Sequence, residues 1–148
     1  MTRATLRIAL SGSINESTDF SQIEDLNNGN LEINCKDITA INSFGIRSWL
    51  KIFKVVRGLG IKLKFIDVSP ALARHLGLIE GLILPDEIQS LCVEFICQEC
   101  SLRAIKAYSP DELKKMNFVL PQFQCPECRK EMEFDDIPDE YFSFLKKV

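Results

Sequence analysis

The sequence predicts an α/β domain followed by a small metal-binding module. Short runs in which apolar and polar residues alternate are typical of strands, and amphipathic segments with helical spacing lie between them. The order strand, helix, strand, helix favours helices that pack as crossovers on a sheet. Four cysteines in two Cys-x-x-Cys pairs follow in the last third of the chain. We therefore divide the 148 residues into an α/β domain over 1–90 and a metal-binding module over 91–148.

The N-terminal segment predicts a strand, a short amphipathic stretch and a second strand. Residues 5–11 alternate, and Arg7 interrupts their apolar side chains, which indicates a strand and not a signal peptide. An amphipathic stretch over residues 20–26 stops at Asn-Asn-Gly-Asn. Residues 31–35 alternate again, and this pattern places Cys35 on the buried side as a small apolar residue.

Residues 43–59 give the clearest helix of the chain. Ser43 is placed to cap its start, and Gly-Leu-Gly ends it. Its apolar side chains recur at steps of three and four residues and form one stripe: Ile46, Trp49, Leu50, Phe53 and Val56. The opposite, solvent-facing side is basic and carries Arg47, Lys51 and Lys54.

Three further elements complete the predicted α/β domain and join it to the module. Residues 61–66 alternate as a strand, and Ser-Pro then starts a helix over 71–76. This helix contains the single histidine, His75, which we expect to be half-buried or exposed and not a ligand. A strand over 91–96 runs directly into the first cysteine pair, and we interpret its Cys92 as a packing residue.

The two cysteine pairs predict a metal site. Cys97 and Cys100 form one pair and Cys125 and Cys128 the other, with 24 residues between them. Two thiolates from each tight turn complete a tetrahedral site, and four cysteines without an open position indicate a structural zinc ion. Iron of the rubredoxin type and a dithiol redox pair are the alternatives. Few apolar residues surround the cysteines, so we expect this segment to fold around its metal.

Two smaller expectations concern the turns and the tail. Glycine often follows the second cysteine of such a turn, and Ser101 and Arg129 stand there instead, so we expect slightly irregular turns. After a strand over 131–134, one closing helix is predicted to seal its apolar stripe against the protein's own body. That stripe contains Tyr141, Phe144 and Leu145, with Phe142 partly outside it.

Charge and composition exclude several classes of partner. Residues 1–90 carry 10 basic and 10 acidic side chains, whereas residues 91–148 carry 8 and 11. A nucleic-acid-binding zinc module would present a basic face, so no nucleic-acid partner is expected. No apolar run approaches the roughly 20 residues of a membrane span. Paired cysteines that act as ligands are typical of a reducing compartment, which predicts a cytoplasmic protein.

One stretch of the α/β domain is similar to a known family. Residues 38–47 read Ile-Thr-Ala-Ile-Asn-Ser-Phe-Gly-Ile-Arg, a strand that ends in a polar-Ser-x-Gly turn and opens an amphipathic helix. This pattern resembles the STAS domain family, which includes the anti-sigma-factor antagonists and the cytoplasmic domains of sulphate transporters. Residues 60–70 and 76–79 look like the next strand and helix of that family, so the resemblance covers about residues 4–90.

The resemblance implies a mixed sheet with helices mainly on one side and a role in signal transduction. In the regulatory members a partner kinase phosphorylates the serine of the turn, which corresponds to Ser43 here. The implied partner is a protein: a switch kinase, an anti-sigma factor or another signalling protein. The residues implied to contact it lie around that serine: Asn42, Phe44, Arg47 and Lys51.

Two departures from the family pattern leave the role of Ser43 open. Asn42 stands where the family has aspartate, and Phe44 where it has a small hydroxyl residue. The bulky ring of Phe44 could block a kinase or create a different docking surface. Ser43 is therefore either a phosphorylation site or an ordinary helix cap worth about 1 kcal/mol.

No constellation of an active site is found in the sequence, so we expect a protein without catalytic activity. There is no glycine-rich phosphate loop, and a single histidine leaves acid–base catalysis to carboxylates that show no pairing pattern. The leading hypothesis is a regulatory protein that binds a partner near Ser43. The alternatives are an unphosphorylated scaffold subunit that assembles through the zinc module, and a sensor of a small ligand or nucleotide. The sequence leaves the oligomeric state open.

Overall fold

The structure, a computed structural model, describes residues 4–146 of the chain. Over that range helices and strands alternate, and the strands form one parallel and one antiparallel sheet, which confirms the α/β class. No helix within these residues combines the length and the apolarity needed to cross a membrane.

The parallel sheet occupies the first half of the described chain. Its strands are β1 (Thr5–Ile14), β2 (Asn30–Ile41) and β3 (Lys62–Ile66), arranged in that order. The short helix α1 (Ser21–Glu24) lies between β1 and β2, and the long helix α2 (Ser43–Gly58) connects β2 to β3. Since the strands run parallel, the carboxyl ends of β1 and β2 lie at the same edge of the sheet as the start of α2.

An aromatic cluster fixes α2 on the sheet. The register places Ile8, Ile33 and Phe65 side by side on one face. The rings of Trp49 and Phe53 on α2 lie 5.7 and 5.3 Å from the ring centre of Phe65. These large rings are fully buried, and aromatic pairs at such distances contribute roughly 0.5–1.5 kcal/mol beyond their area.

Strand β1 runs further than the sequence pattern predicts, because the alternation stops at residue 11 and the strand continues to Ile14. The two strand segments predicted over residues 31–35 and from residue 38 are one continuous strand, β2, which ends at Ile41. The pairing shifts register around Gly12, whose φ of 72° is easily adopted by glycine. This irregularity lets β1 continue where a turn was expected, and it brings the ends of both strands beside α2.

The second half of the described chain forms the antiparallel sheet. Along the chain, helix α3 (Pro70–Leu76) precedes the strands of this sheet, and helix α4 (Pro110–Lys115) lies between two of them. Its strands are β4 (Leu91–Cys97), β5 (Arg103–Tyr108), β6 (Phe123–Gln124) and β7 (Glu131–Phe134). Their spatial order in the sheet is β5-β4-β7-β6.

The two sheets share one hydrophobic core. Val68, which follows β3, forms a parallel bridge with Leu91, and its carbonyl accepts a hydrogen bond from the N–H of Cys92 at 2.9 Å. The hydroxyl of Tyr141 donates to the carbonyl of Cys92 at 2.6 Å. Strand β4 therefore links the parallel sheet to the tail. The division between residues 90 and 91 stays a prediction.

The predicted closing helix is broken into two short ones. Helices α5 (Pro138–Tyr141) and α6 (Ser143–Lys146) flank Phe142. The expectation that Phe142 lies partly outside the buried stripe is wrong, because the break turns its ring inward. That ring lies 5.7 Å from the rings of both Phe118 and Phe134, and it is fully buried. The other apolar side chains of the tail are buried as predicted: Tyr141, Phe144 and Leu145.

An ion pair that the sequence analysis missed holds the far end of α2. Arg57 donates from Nε and Nη2 to both carboxylate oxygens of Glu87, at 2.8 and 2.7 Å. One of these oxygens also accepts the N–H of Leu84. Since the two partners are separated by 30 residues, no local pattern signals their contact. The bidentate geometry ties the last turn of α2 to the loop that precedes β4.

Candidate functional site

The predicted metal ligands lie together at one end of the antiparallel sheet. One cysteine turn follows β4 and the other follows β6, and the Sγ atoms of Cys97, Cys100, Cys125 and Cys128 all lie within 4.8 Å of one another. The closest pairs are Cys97–Cys128 at 3.2 Å and Cys100–Cys125 at 3.5 Å. A disulfide is about 2.0 Å long, so these are free thiols.

The two cysteine turns have the same backbone geometry. The N–H of Ser101 donates to the carbonyl of Cys97 at 2.8 Å, and the N–H of Arg129 donates to that of Cys125 at 2.8 Å. Ser101 and Arg129 adopt φ values of 63° and 65°, in the left-handed region that glycine occupies in many such turns. The expectation of irregular turns is therefore wrong. The left-handed conformation costs roughly 1–2 kcal/mol per residue, which the repeated hydrogen bonds offset.

Backbone N–H groups and neighbouring sulfurs set the acidity of the thiols. The N–H of Cys100 and the sulfur of Cys128 lower the pKa of Cys97 to about 7. The N–H of Leu102 acts in the same direction on Cys100. The sulfur of Cys125, partial loss of solvation and the sulfurs of Cys97 and Cys128 together outweigh it and raise the pKa of Cys100 to about 12. Four thiolates this close repel one another, so all four ionise together only around a cation.

The dimensions of the cluster fit a tetrahedral metal ion. Zinc–sulfur bonds of about 2.3 Å correspond to sulfur–sulfur edges of about 3.8 Å, and the observed separations lie on both sides of that length. Within residues 4–146 the cluster consists of cysteines alone. The four cysteines could thus hold a metal ion in a closed, all-sulfur site. Cys97 and Cys125 are buried, whereas Cys100 is exposed, so the site lies at the protein surface.

The other two cysteines lie outside this cluster. Cys35 and Cys92 are both buried, and burial, with a smaller effect of Asp67, raises the pKa of Cys92 to about 11. Both therefore behave as the small packing residues that the sequence analysis predicts. His75 is half-buried on α3 and is not part of the cysteine cluster.

Asn42, and not Ser43, caps the start of α2. The side-chain oxygen of Asn42 accepts a hydrogen bond from the N–H of Gly45 at 2.8 Å. Asn42 has extended backbone angles, whereas Ser43 is already the first residue of the helix. The predicted capping role of Ser43 is wrong by one residue, because β2 extends to Ile41 and leaves a single residue to cap. The amide nitrogen of Asn42 also donates to Glu16 at 3.1 Å.

Gly45 allows the first turn of α2 to lie directly against β1. A Cβ atom at this position would be 2.1 Å from the carbonyl oxygen of Ile14. The same carbonyl accepts the N–H of Asn42 at 3.1 Å, so helix and strand meet here backbone to backbone. The sequence analysis used Gly45 only as part of a motif and missed its packing role. A glycine in the first turn of a strongly amphipathic helix is the signal that could have indicated it.

The residues expected to contact a partner form an exposed surface at this end of α2. The side chain of Phe44 is 55% exposed, and the guanidinium of Arg47 lies 6.0 Å above its ring. Asn42 and Ser43 at the same end of the helix are exposed, and so is Lys51, two turns further along. We call this set of five residues the α2 start surface.

The identity of the cap leads to a specific prediction. Asn42→Ala removes the acceptor of the Gly45 N–H, so we expect a loss of about 1 kcal/mol in the free energy of unfolding. Asn42→Asp keeps an acceptor for Gly45, but it replaces the amide that donates to Glu16 with a second carboxylate, so it should recover only part of that stability. Ser43→Ala removes no cap and should change the stability by less than about 0.5 kcal/mol. Urea unfolding followed by circular dichroism measures all three variants, and the reverse order for the two alanine variants would restore Ser43 as the cap.

No protein-family model matches this chain, and none of the curated proteins or solved structures matches it. The features from which a function can be inferred are therefore the four-cysteine centre and the α2 start surface.

Proposed function

We propose that this chain is a non-catalytic regulatory protein of the STAS type, which binds a partner protein through the α2 start surface. The observation that carries the proposal is the exposed ring of Phe44 beside the exposed Ser43. Phe44 is mostly open to solvent although its neighbour Gly45 is buried against β1. An exposed aromatic ring on a rigid turn is the kind of side chain that anchors protein interfaces.

The rigidity of the turn supports this role. Asn42 caps the helix through Gly45, and its own N–H is bonded to the carbonyl of Ile14. Phe44 and Arg47 therefore project from a backbone that is fixed at both the strand and the helix. A side chain that is already ordered loses less entropy on binding, which favours affinity.

Control by phosphorylation of Ser43 is part of the proposal. Because Asn42 supplies the cap, a phosphate on Ser43 leaves the cap intact. It would stand at the positive end of a 16-residue helix and within one turn of Arg47. A phosphate adds roughly −1.5 to −2 charges to the surface that a partner would cover. The partner is then a switch kinase, an anti-sigma factor or another signalling protein.

For the four-cysteine centre we propose structural zinc. The closed set of sulfur ligands suits zinc and leaves no position for a substrate. Zinc would hold together the sulfurs of two turns that the pairing of β4 and β6 with β7 already brings to one end of the sheet. In this role the metal shapes the protein and takes no part in a reaction, and the reduced thiols it needs fit a cytoplasmic protein.

The experiment is partner capture with matched variants. Wild-type protein, Phe44→Ala, Ser43→Asp and Ser43→Ala are used as baits in lysate of the source cell, and bound proteins are quantified by mass spectrometry. The control is Leu78→Ala, because Leu78 is 83% exposed but lies on another surface. Phe44→Ala and Ser43→Asp should lose a common partner at least about tenfold, whereas Ser43→Ala and Leu78→Ala should keep it.

Two results would contradict the proposal. If Phe44→Ala captures the same partners as wild type, the α2 start surface is not the docking surface. If Ser43→Asp and Ser43→Ala capture the same partners, phosphorylation of Ser43 does not control binding. That result favours the alternative hypothesis of an unphosphorylated scaffold subunit. Intact mass of the protein from its own cells adds a second readout, since regulation by phosphorylation requires a form that carries one phosphate on Ser43.

A further inference from the structure

An open groove runs between α1 and α2, next to the α2 start surface. Its volume is about 500 Å³. Phe20, Ile23 and Val56 are buried at its base. We call it the α1–α2 groove; the side chains that line it along α2 are Ser48, Lys51, Ile52, Val55, Val56 and Leu59.

The α2 side of this groove exposes apolar side chains that are not buried in the hydrophobic core. Val55 and Leu59 are 59% and 50% exposed, although both are large and apolar. With Phe44 and Ser48 they recur at helical spacing, so the four residues form one stripe that adjoins the buried stripe of α2. The stripe extends over the sixteen residues 44–59, or about 22 Å at a rise of 1.5 Å per residue. Helix α1 has four residues and covers only part of it.

The two sides of the groove carry opposite charges. Asp19 and Glu24 lie on the α1 side, and Lys51 lies on the α2 side. Among residues 4–146, none of these three side chains takes part in an ion pair. The backbone and side chain of Ser21 lower the pKa of Asp19, which keeps that carboxylate ionised. The charges that border the groove are therefore available to an incoming chain.

We propose that the α1–α2 groove binds an amphipathic helix of the partner protein. The helix would place apolar residues at positions i, i+4, i+7 and i+11 on the exposed stripe, with basic residues towards Asp19 and Glu24 and acidic residues towards Lys51. The groove lies between helices, which offer side chains and no free strand edge for hydrogen bonding. A helix, whose backbone N–H and C=O groups are already hydrogen-bonded to one another, therefore fits the groove best. This inference rests on the proposed function, because it takes a partner protein as the occupant of a groove that shares Lys51 with the α2 start surface.

Three synthetic peptides test the proposal. They are 16-residue helix-forming sequences with the same stripe of leucines, and they carry lysine on one flank and glutamate on the other, lysine on both flanks, or glutamate on both. Fluorescence anisotropy measures their binding to the full-length protein. Wild type should bind the mixed peptide most tightly, and Val55→Glu should weaken that binding at least about tenfold. Leu78→Glu, at an exposed leucine on another surface, should leave it unchanged.

A charge reversal makes the test specific. Lys51→Glu gives the groove two acidic sides, so the preference should move from the mixed peptide to the peptide with lysine on both flanks. Equal binding of all three peptides to wild type, or no binding of any, overturns the proposal. So does a dimer in sedimentation that Val55→Glu dissociates, because the groove would then be covered by a second copy of the chain.

The failure of this inference can be told apart from the failure of the proposed function. Partner capture that depends on Phe44 but not on Val55, with no peptide binding, overturns the groove alone. Peptide binding that depends on Val55, with partner capture insensitive to Phe44 and Ser43, supports the groove and overturns the α2 start surface.

Discussion

If the four cysteines bind the proposed zinc ion, replacing Cys125 by serine is expected to abolish that binding and to loosen the antiparallel sheet around it. Cys125 is 1% exposed and its sulfur lies within 4.8 Å of the other three ligands. Structural zinc contributes roughly 10–16 kcal/mol of apparent binding free energy in small modules, and much of it depends on all four ligands. We expect metal content to fall to near zero and the midpoint of thermal unfolding to fall by about 10 °C or more. Elemental analysis and circular dichroism measure the two effects.

Cys92→Ala is the matched control for this variant. Cys92 is 3% exposed, so its replacement also disturbs a buried position, but its sulfur lies outside the cluster. The control should keep its metal and lose only about 1–2 kcal/mol of stability through weaker packing. A Cys125→Ser protein that retains full metal content, or a Cys92→Ala protein that loses it, would show that the ligand set is different.

Gly45→Ala is expected to destabilise the parallel half strongly, because the site has no room for a side chain. The new methyl group would meet the carbonyl oxygen of Ile14 at 2.1 Å, well inside any tolerated contact. Helix α2 would have to move away from β1 and break the hydrogen bond from Asn42 to the same carbonyl. We expect a loss of about 3 kcal/mol or more in the free energy of unfolding. Urea unfolding measures the loss, and partner capture should fall with it because the α2 start surface shifts.

Gly58→Ala separates this contact from the general effect of a glycine in a helix. Gly58 is in the last turn of the same helix, and a Cβ atom there would meet nothing within 4 Å. Alanine at an open helical position is expected to stabilise the protein by up to about 1 kcal/mol. If the two variants were equally stable, the packing of α2 on β1 would not be as close as the structure indicates.

The cysteine cluster could be predicted because the pattern that indicates it is local in the sequence. A Cys-x-x-Cys turn already brings two sulfurs together, so only the meeting of two such turns depends on the fold. The core face of α2 was largely predictable for the same reason, since the positions of Trp49 and Phe53 follow from helical spacing. The left-handed backbone at Ser101 and Arg129 was not, because residue preference is overridden there by the hydrogen bonds of the turn.

What the sequence analysis missed depends on contacts between distant segments. Asn42 and Ser43 are equally good capping residues, and the choice follows from the end of β2 at Ile41. The close approach at Gly45 depends on where β1 ends, which is Ile14 and not the predicted residue 11, and on the extra residues of β2 in its pairing with β1. The exposed apolar stripe of α2 could not be predicted from the sequence for a similar reason, since only the structure shows that α1 is too short to cover it.

The most direct test of the proposed structural zinc site is metal analysis, followed by chelation monitored by backbone NMR. Purified protein should contain about one zinc ion per chain. A strong chelator should then shift the amide signals of residues 97–102 and 125–130 and reduce their dispersion, while those of Ser43–Gly58 stay in place. Iron or no metal in the purified protein, or cysteine-turn signals that remain dispersed and unmoved after zinc is removed, would contradict a fold held together by this ion.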